Sequence, residues 1–333
     1  MVSGQQQQQP PPLLRALSPL SFIDRLSSPS PFAPFPFPSL PFASSGRGGG
    51  DNRHTRMRGE LAAALAATDL LARSDLFDKL EKEDGGQLDG VQLIGNNFNV
   101  GSLHSVYCVQ ATSPSSSTST CSHPQQQQQQ RQGKPILLVP PQSFDSSVFL
   151  EHQLMQWFAA AGHRCVAIDL PGTGRTVGPT LSADEKPTFL LQVSSPRPSP
   201  LSLSISKPMF QVLSRLGLSG RDRPIVVAVS QAAQYVLPLI DKDVFGGLVA
   251  VGLSIGGAGQ MPRDLTTCTL PVLALCGEMD TSVGQNSVAA LAKLPFCRAL
   301  KIPRAGHVVF LANPLAFRTA CANFFELIAH NAR

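Results

Sequence analysis

Three residues of this sequence have the types that covalent acyl chemistry needs, and each ends an apolar run. Ser230 ends "PIVVAVS", Asp280 ends "VLALCGEMD" and His307 ends "ALKIPRAGH". A serine hydroxyl is a weak nucleophile until an imidazole takes its proton, and the imidazole needs a carboxylate to fix its tautomer and stabilise its charge. Of the seven histidines (54, 104, 123, 152, 163, 307 and 330), only His307 and His330 follow Asp280, and His330 falls in a helical pattern. Around the serine, "Ala228-Val229-Ser230-Gln231-Ala232" has small residues two before and two after, which lets a strand turn sharply into a helix with the hydroxyl at the apex. Taken alone that pentapeptide is a weak signal, because serines follow strands in many proteins. The ordered set of three is a stronger one.

Such residues must be carried on strands whose ends converge. "VQLIGNNFNVGSLHSVYCVQ" reads as a β-hairpin, and "KPILLVPPQSF" as an apolar strand covered on both faces. A helix over about 148–161 and a strand over about 164–170 follow. Downstream, helix "PMFQVLSRLGL", strand "PIVVAVS", helix "QAAQYVLPLI", strand "GGLVAVGLS" and two more strands lead to a closing helix over about 314–329. This alternation predicts an α/β fold, a doubly wound, mostly parallel sheet with its functional groups at the strands' C-terminal ends. A glycine-rich loop, "Asp169-Leu170-Pro171-Gly172-Thr173-Gly174-Arg175-Thr176", stands at one such end and lacks the spacing of a dinucleotide fingerprint.

Composition divides the 333 residues. Residues 1–58 are rich in Pro, Ser and Gln and predict a disordered low-complexity segment, whose arginines and near absence of acids also fit an organellar transit peptide. An added amphipathic helix is expected over 59–84, clearest from Gly59 to about Lys82, and the α/β domain over 85–333. Low-complexity insertions at about 111–134 and 181–206 read as surface loops, since a doubling of loop length costs only about 0.6 kcal/mol. The net charge of +5 and the Arg cluster at 46–59 come without interleaved aromatics or a nucleic-acid motif, so no nucleic-acid partner is expected. No apolar run is long enough for a membrane span, and seven cysteines without a CxxC pair read as reduced thiols. The expected location is the cytoplasm, or a mitochondrion or plastid if the N-terminal segment directs import.

"VAIDLPGTGRT", the Ser230 elbow, "CGEMDTSVGQNS" and "PRAGHVVFLANP" together resemble the α/β-hydrolase superfamily, and within it the abhydrolase domain-containing fourteen proteins, small members without a large lid domain. The resemblance runs from about Val91 to the C-terminus, apart from the two insertions. It implies the α/β-hydrolase fold and chemistry on a small acyl ester, thioester or amide. It also implies Ser230 as nucleophile, Asp280 rather than Glu278 as acid, His307 as base, and the Gln142 and Gln231 N–H groups as oxyanion hole. No cofactor and no metal are implied.

Two departures stand out. Pro140-Pro141 occupy the place of the usual His-Gly, and a proline has no N–H to donate, although Gln142 keeps its own. The elbow has alanines where glycine is usual. Loss of one oxyanion donor costs about 100- to 1,000-fold in rate. The rival expectation is therefore a weak or inactive hydrolase-fold protein that binds a partner through its N-terminal helix or low-complexity arms. Phe144 and Phe149 are candidates for lining an acyl pocket, with core packing as their ordinary alternative.

Overall fold

Apolar runs without alternation become strands buried on both faces. The computed structural model describes residues 52–72, 88, 90–100, 102–113, 133–141, 143–190, 212–256, 261 and 267–331, all of them within the unit Gly50–Arg333. Its strands are β1 (Gln92–Val100), β2 (His104–Thr112), β3 (Gly133–Val139), β4 (His163–Ile168), β5 (Ile225–Val229), β6 (Gly247–Val251), β7 (Val272–Gly277) and β8 (Cys297–Ile302). They form one sheet in the order β1-β2-β4-β3-β5-β6-β7-β8. The β1–β2 hairpin and its junction with β4 are antiparallel, and β4 through β8 pair in parallel. The mostly parallel α/β architecture expected from the sequence is the one observed.

The helices are α1 (Asn52–Ala67), α2 (Ser147–Glu151), α3 (Leu154–Ala160), α4 (Glu185–Leu190), α5 (Val212–Arg215), α6 (Ala233–Val236), α7 (Val283–Leu291), α8 (Val309–Ala312) and α9 (Pro314–Asn331). Side chains of successive strand residues point to opposite faces. Leu137 and Val139 accordingly join one core with Phe189 and Tyr235, while Ile136 and Leu138 join the other with Phe158, Phe317 and Phe324.

Several elements differ from the sequence expectation for local reasons. The helix expected over 148–161 is broken into α2 and α3, because Gln153 turns left-handed at φ 53°. The helix after Ser230 is a 3₁₀ turn, a single α-turn and a second 3₁₀ turn, for Pro238 has no N–H to continue a ladder. A helix, α1, covers the first part of the segment expected to be helical over 59–84, running from Asn52 to Ala67, and residues 73–87 lie outside the description. Leu65 of α1 and Leu70 in the turn after it are buried within the chain, and Asn323 of α9 donates to Leu70 O (3.0 Å) and Ala72 O (2.8 Å) in that turn.

The start of the expected insertion at 181–206 is ordered rather than looped. Ser182 N–H and O–H both donate to Glu185 Oε2 (2.9 and 2.8 Å), a cap that starts α4. α4 then buries Phe189 against His104 and Tyr235. Segments 1–51, 114–132 and 191–211 lie outside the described residues.

Six cysteines among the described residues are unpaired, and Cys121 lies outside them. Burial pushes the Cys297 thiol up to about 12 and raises Cys165 and Cys321 as well, so these thiols stay protonated at neutral pH. Among the described residues, no helix is long and apolar enough to cross a membrane, and no cluster of three or more His, Cys, Asp or Glu could hold a metal.

His163 makes a pH prediction. Burial against Phe325 lowers its imidazole below the usual 6.5, although its Nδ1 contacts Lys134 O at 2.8 Å. The unfolded chain then binds the extra proton more readily than the fold, so stability is present above pH 6.5 and falls as pH drops toward the folded value. A thermal-melting series from pH 8 to 5 should show a steeper decline for wild type than for His163→Gln. Equal slopes would contradict the assignment.

Candidate active site

β5 delivers Ser230 to the middle of the sheet, next to β3 and at the point where strand order reverses, the usual ligand crevice of such sheets. Ser230 itself has φ 51°, a left-handed conformation that costs a non-glycine residue about 1 kcal/mol or more and persists only where the surroundings enforce it. Here they do. Ala228 lies between Val139 of β3 and Ala250 of β6, Ala232 is fully buried, and Ser254 N–H donates to Ser230 O at 3.0 Å. The two alanines of the elbow are accommodated in the core, and the turn keeps its sharp form.

The loops after β7 and β8 are joined to each other. Glu278 N–H donates to Ile302 O and Met279 N–H to Ala305 O, both at 2.9 Å. A side chain at Gly277 would overlap the carbonyl oxygens of Ala305 and Gly306. This close approach brings Asp280 Oδ2 to 2.6 Å from His307 Nδ1, and His307 Nε2 reaches Ser230 Oγ at 2.8 Å. The three sequence candidates therefore form one hydrogen-bonded relay. The side chain of Asp280 is 5% exposed and that of His307 is 37% exposed, so the relay is anchored in the protein and opens to solvent at the imidazole.

Asp280 stays ionised. Burial alone would raise its carboxyl, but the hydrogen bond from His307, the Gly284 N–H, the charge of His307 and the Ser282 N–H together hold it below the ordinary 3.8. An ionised Asp280 favours the imidazole tautomer with its proton on Nδ1, which leaves Nε2 as acceptor for the serine proton. Glu278 does other work: its Oε2 accepts the Arg304 N–H at 3.0 Å. His330 sits exposed near the end of α9 and takes no part.

Gln231 is the second residue of the 3₁₀ turn Ser230–Ala232, where backbone N–H groups have no partner one turn earlier. Its side chain accepts from Gln234 Nε2 at 3.1 Å, and Gln234 Oε1 accepts from the Lys186 ammonium. Gln142 lies outside the described residues. Both Pro140 and Pro141 are buried at the end of β3, and the chain turns at once, with Phe144 N–H donating to Pro141 O at 3.0 Å. An open cleft lies between this loop (Ser143, Phe144, Asp145, Ser147) and Gly172, Thr173 and Gly174 of the loop after β4. Phe144 lines it and is 42% exposed, whereas Phe149 is wholly buried against Phe310 and belongs to the core.

Sequence reasoning did not find two glycines that the relay requires. Gly252 has φ +50°, and a Cβ there would lie 3.1 Å from His307 Cε1. A Cβ on Gly284 would lie 2.5 Å from Asp280 Oδ2. Their only signal in the sequence is a glycine shortly after a strand or after the acid.

No protein-family model matches the chain. ABHD14A of Danio rerio is 24% identical over 194 residues, 57% of this chain and 64% of that protein, so the match spans less than two thirds of that relative's length. ABHD14B of Homo sapiens, named as a candidate protein-lysine deacylase, is 26% identical over 194 residues, 57% of this chain and 82% of its own. Among solved structures, a predicted CIB-like hydrolase from Thermoplasma acidophilum superimposes with a TM-score of 0.50 at 16% identity, covering 71% of this chain and 98% of that one. Sheet order, strand-end loops and these similarities identify the chain as an α/β-hydrolase-fold protein that resembles ABHD14.

Proposed function

We propose that this protein is a serine hydrolase or acyltransferase acting on small acyl esters, thioesters or amides. The observation that carries the reading is the relay of 2.8 and 2.6 Å from Ser230 through His307 to Asp280, built on a serine held at φ 51°. In this scheme Ser230 Oγ attacks the acyl carbonyl as its proton passes to His307 Nε2, and Asp280 stabilises the imidazolium. The tetrahedral oxyanion is received by the Gln231 N–H and, from sequence alone, the Gln142 N–H. Collapse breaks the bond to the alcohol, thiol or amine, which leaves with the proton from His307. Water or another acyl acceptor then gives its proton to His307, attacks the Ser230 ester and restores the hydroxyl. The name of ABHD14B makes acyl-lysine amides a reasonable first class to screen beside simple esters.

A fluorophosphonate probe read by intact mass tests the proposal. One adduct that peptide mapping places on Ser230 is expected, and folded protein that takes no adduct would overturn it. The two acids after β7 also separate. Asp280→Asn should lower kcat by about 10⁴-fold, because the imidazole tautomer is reversed. Glu278→Gln removes only a negative charge at an exposed site, and its amide oxygen can still accept the Arg304 N–H, so its kcat/KM for the same ester should stay within about threefold of wild type.

A further inference from the structure

The loop after β3 begins with two residues that cannot donate a hydrogen bond, yet it stands beside Ser230, since Val139 at the end of β3 pairs with Ala228 of β5. Its geometry must be fixed from elsewhere. One candidate is Asp169, which is 1% exposed. A carboxylate so far from water is costly unless it is hydrogen-bonded, and its two oxygens are bonded to two different loops. Oδ1 accepts the Ser146 N–H at 2.8 Å, and Oδ2 accepts the Arg175 N–H at 2.7 Å.

The second of these loops is anchored independently. Thr176 Oγ1 donates to Asp169 O at 2.7 Å and accepts the Tyr107 N–H at 2.9 Å. Ser105 and Val177 exchange backbone hydrogen bonds of 2.8 and 2.9 Å. Gly174, at φ +54°, comes so close to Asp169 Oδ2 that a Cβ would overlap it. Asp169 therefore belongs to a rigid frame, and its Oδ1 reaches across to hold the β3 loop. The two loops it joins are the two walls of the cleft.

We propose that Asp169 is a positioning residue: its carboxylate sets the loop that leaves β3, the strand paired with the one that carries Ser230, in the geometry that acyl transfer requires. The inference rests on the hydrolase reading. It also accounts for a carboxylate where an amide of the same shape would not serve, because an asparagine would turn an NH₂ toward one of the two N–H donors.

Two variants test it. Ser146→Pro removes the N–H that Oδ1 accepts, together with the buried hydroxyl, and Ser146 already has φ −63°, which proline adopts without strain. Asp169→Asn breaks the brace from the other side. Labelling of wild type at Ser230 by a fluorophosphonate tests the hydrolase reading separately; unlabelled wild type removes that reading and this inference with it. Where wild type labels, both variants should label about 10- to 100-fold more slowly and lose kcat on a small ester to the same degree. KM should move by less than about threefold, and Asp169→Asn should add little in the Ser146→Pro background, because both changes break one contact. Rates are read at a temperature where circular dichroism shows each variant folded. Wild-type labelling and kcat in the variants, with only the melting temperature lowered, would overturn the proposal. If Ser146→Pro does not fold, Asp169→Asn decides on the same readouts.

Discussion

Ser230→Ala is expected to lose all fluorophosphonate labelling and to lower kcat by about 10⁶-fold, with His307→Ala in the same range. The size follows from how the relay works. Serine and imidazole act as one unit: the hydroxyl is activated only when His307 Nε2 accepts its proton, and that nitrogen lies 2.8 Å away. Removing either partner therefore removes the same step, and the double variant should be scarcely worse than either single one. The residual rate would come from binding and from the backbone donors of the elbow, which neither substitution touches. Stability should respond in the opposite sense at Ser230, where the backbone is strained: Ser230→Gly relieves the left-handed φ of 51° and should raise the melting temperature while also abolishing labelling. A Ser230→Ala protein that still labels would place the nucleophile elsewhere.

The strands were legible because both faces of a parallel sheet are apolar, so that "ILLV", "IVVAV" and "LVAV" need no alternation to be recognised. Ser230, Asp280 and His307 were legible for a related reason, since each stands where such a run stops and the chain leaves the sheet. Less legible was anything decided by a single backbone angle or by one contact across the fold. Gln153 breaks a helix whose composition reads as continuous. α4 starts inside a stretch whose Ser and Pro content reads as loop, because one Ser182–Glu185 cap and one buried Phe189 suffice to form it. α7 follows Asp280 with glycine, serine and asparagine among its residues, poor helix formers that packing on β7 and β8 overrides. Asp169 was visible only as part of a glycine-rich loop; that its carboxylate joins two loops depends on where Ser146 lies in space.

Gly284→Ala should lower kcat by about 100-fold with little loss of stability, and the two effects have separate physical origins. By helix propensity alone the change is favourable, since alanine in place of glycine gains about 1 kcal/mol in a helix, and Gly284 lies in the first turn of α7. Propensity is opposed by position. The new Cβ would come within 2.5 Å of Asp280 Oδ2 and 2.9 Å of Cys276 Cβ, closer than atoms approach, so something must shift. β7 is locked between β6 and β8, which leaves the Asp280 carboxylate and the start of α7 as the parts that can move. Either movement lengthens the bond from the Gly284 N–H to Asp280 and draws the carboxylate off His307 Nδ1, now at 2.6 Å. A displacement near 1 Å at a reacting group costs about 100-fold in rate. The loss should appear in kcat and in the fluorophosphonate labelling rate together, since both depend on His307 as base. Kinetics beside a thermal melt make the check: unchanged kcat in a folded Gly284→Ala protein would mean that the Asp280 contact does not govern the base, whereas a fall in rate at an unchanged melting temperature would place the requirement for glycine in the chemistry and not in the fold.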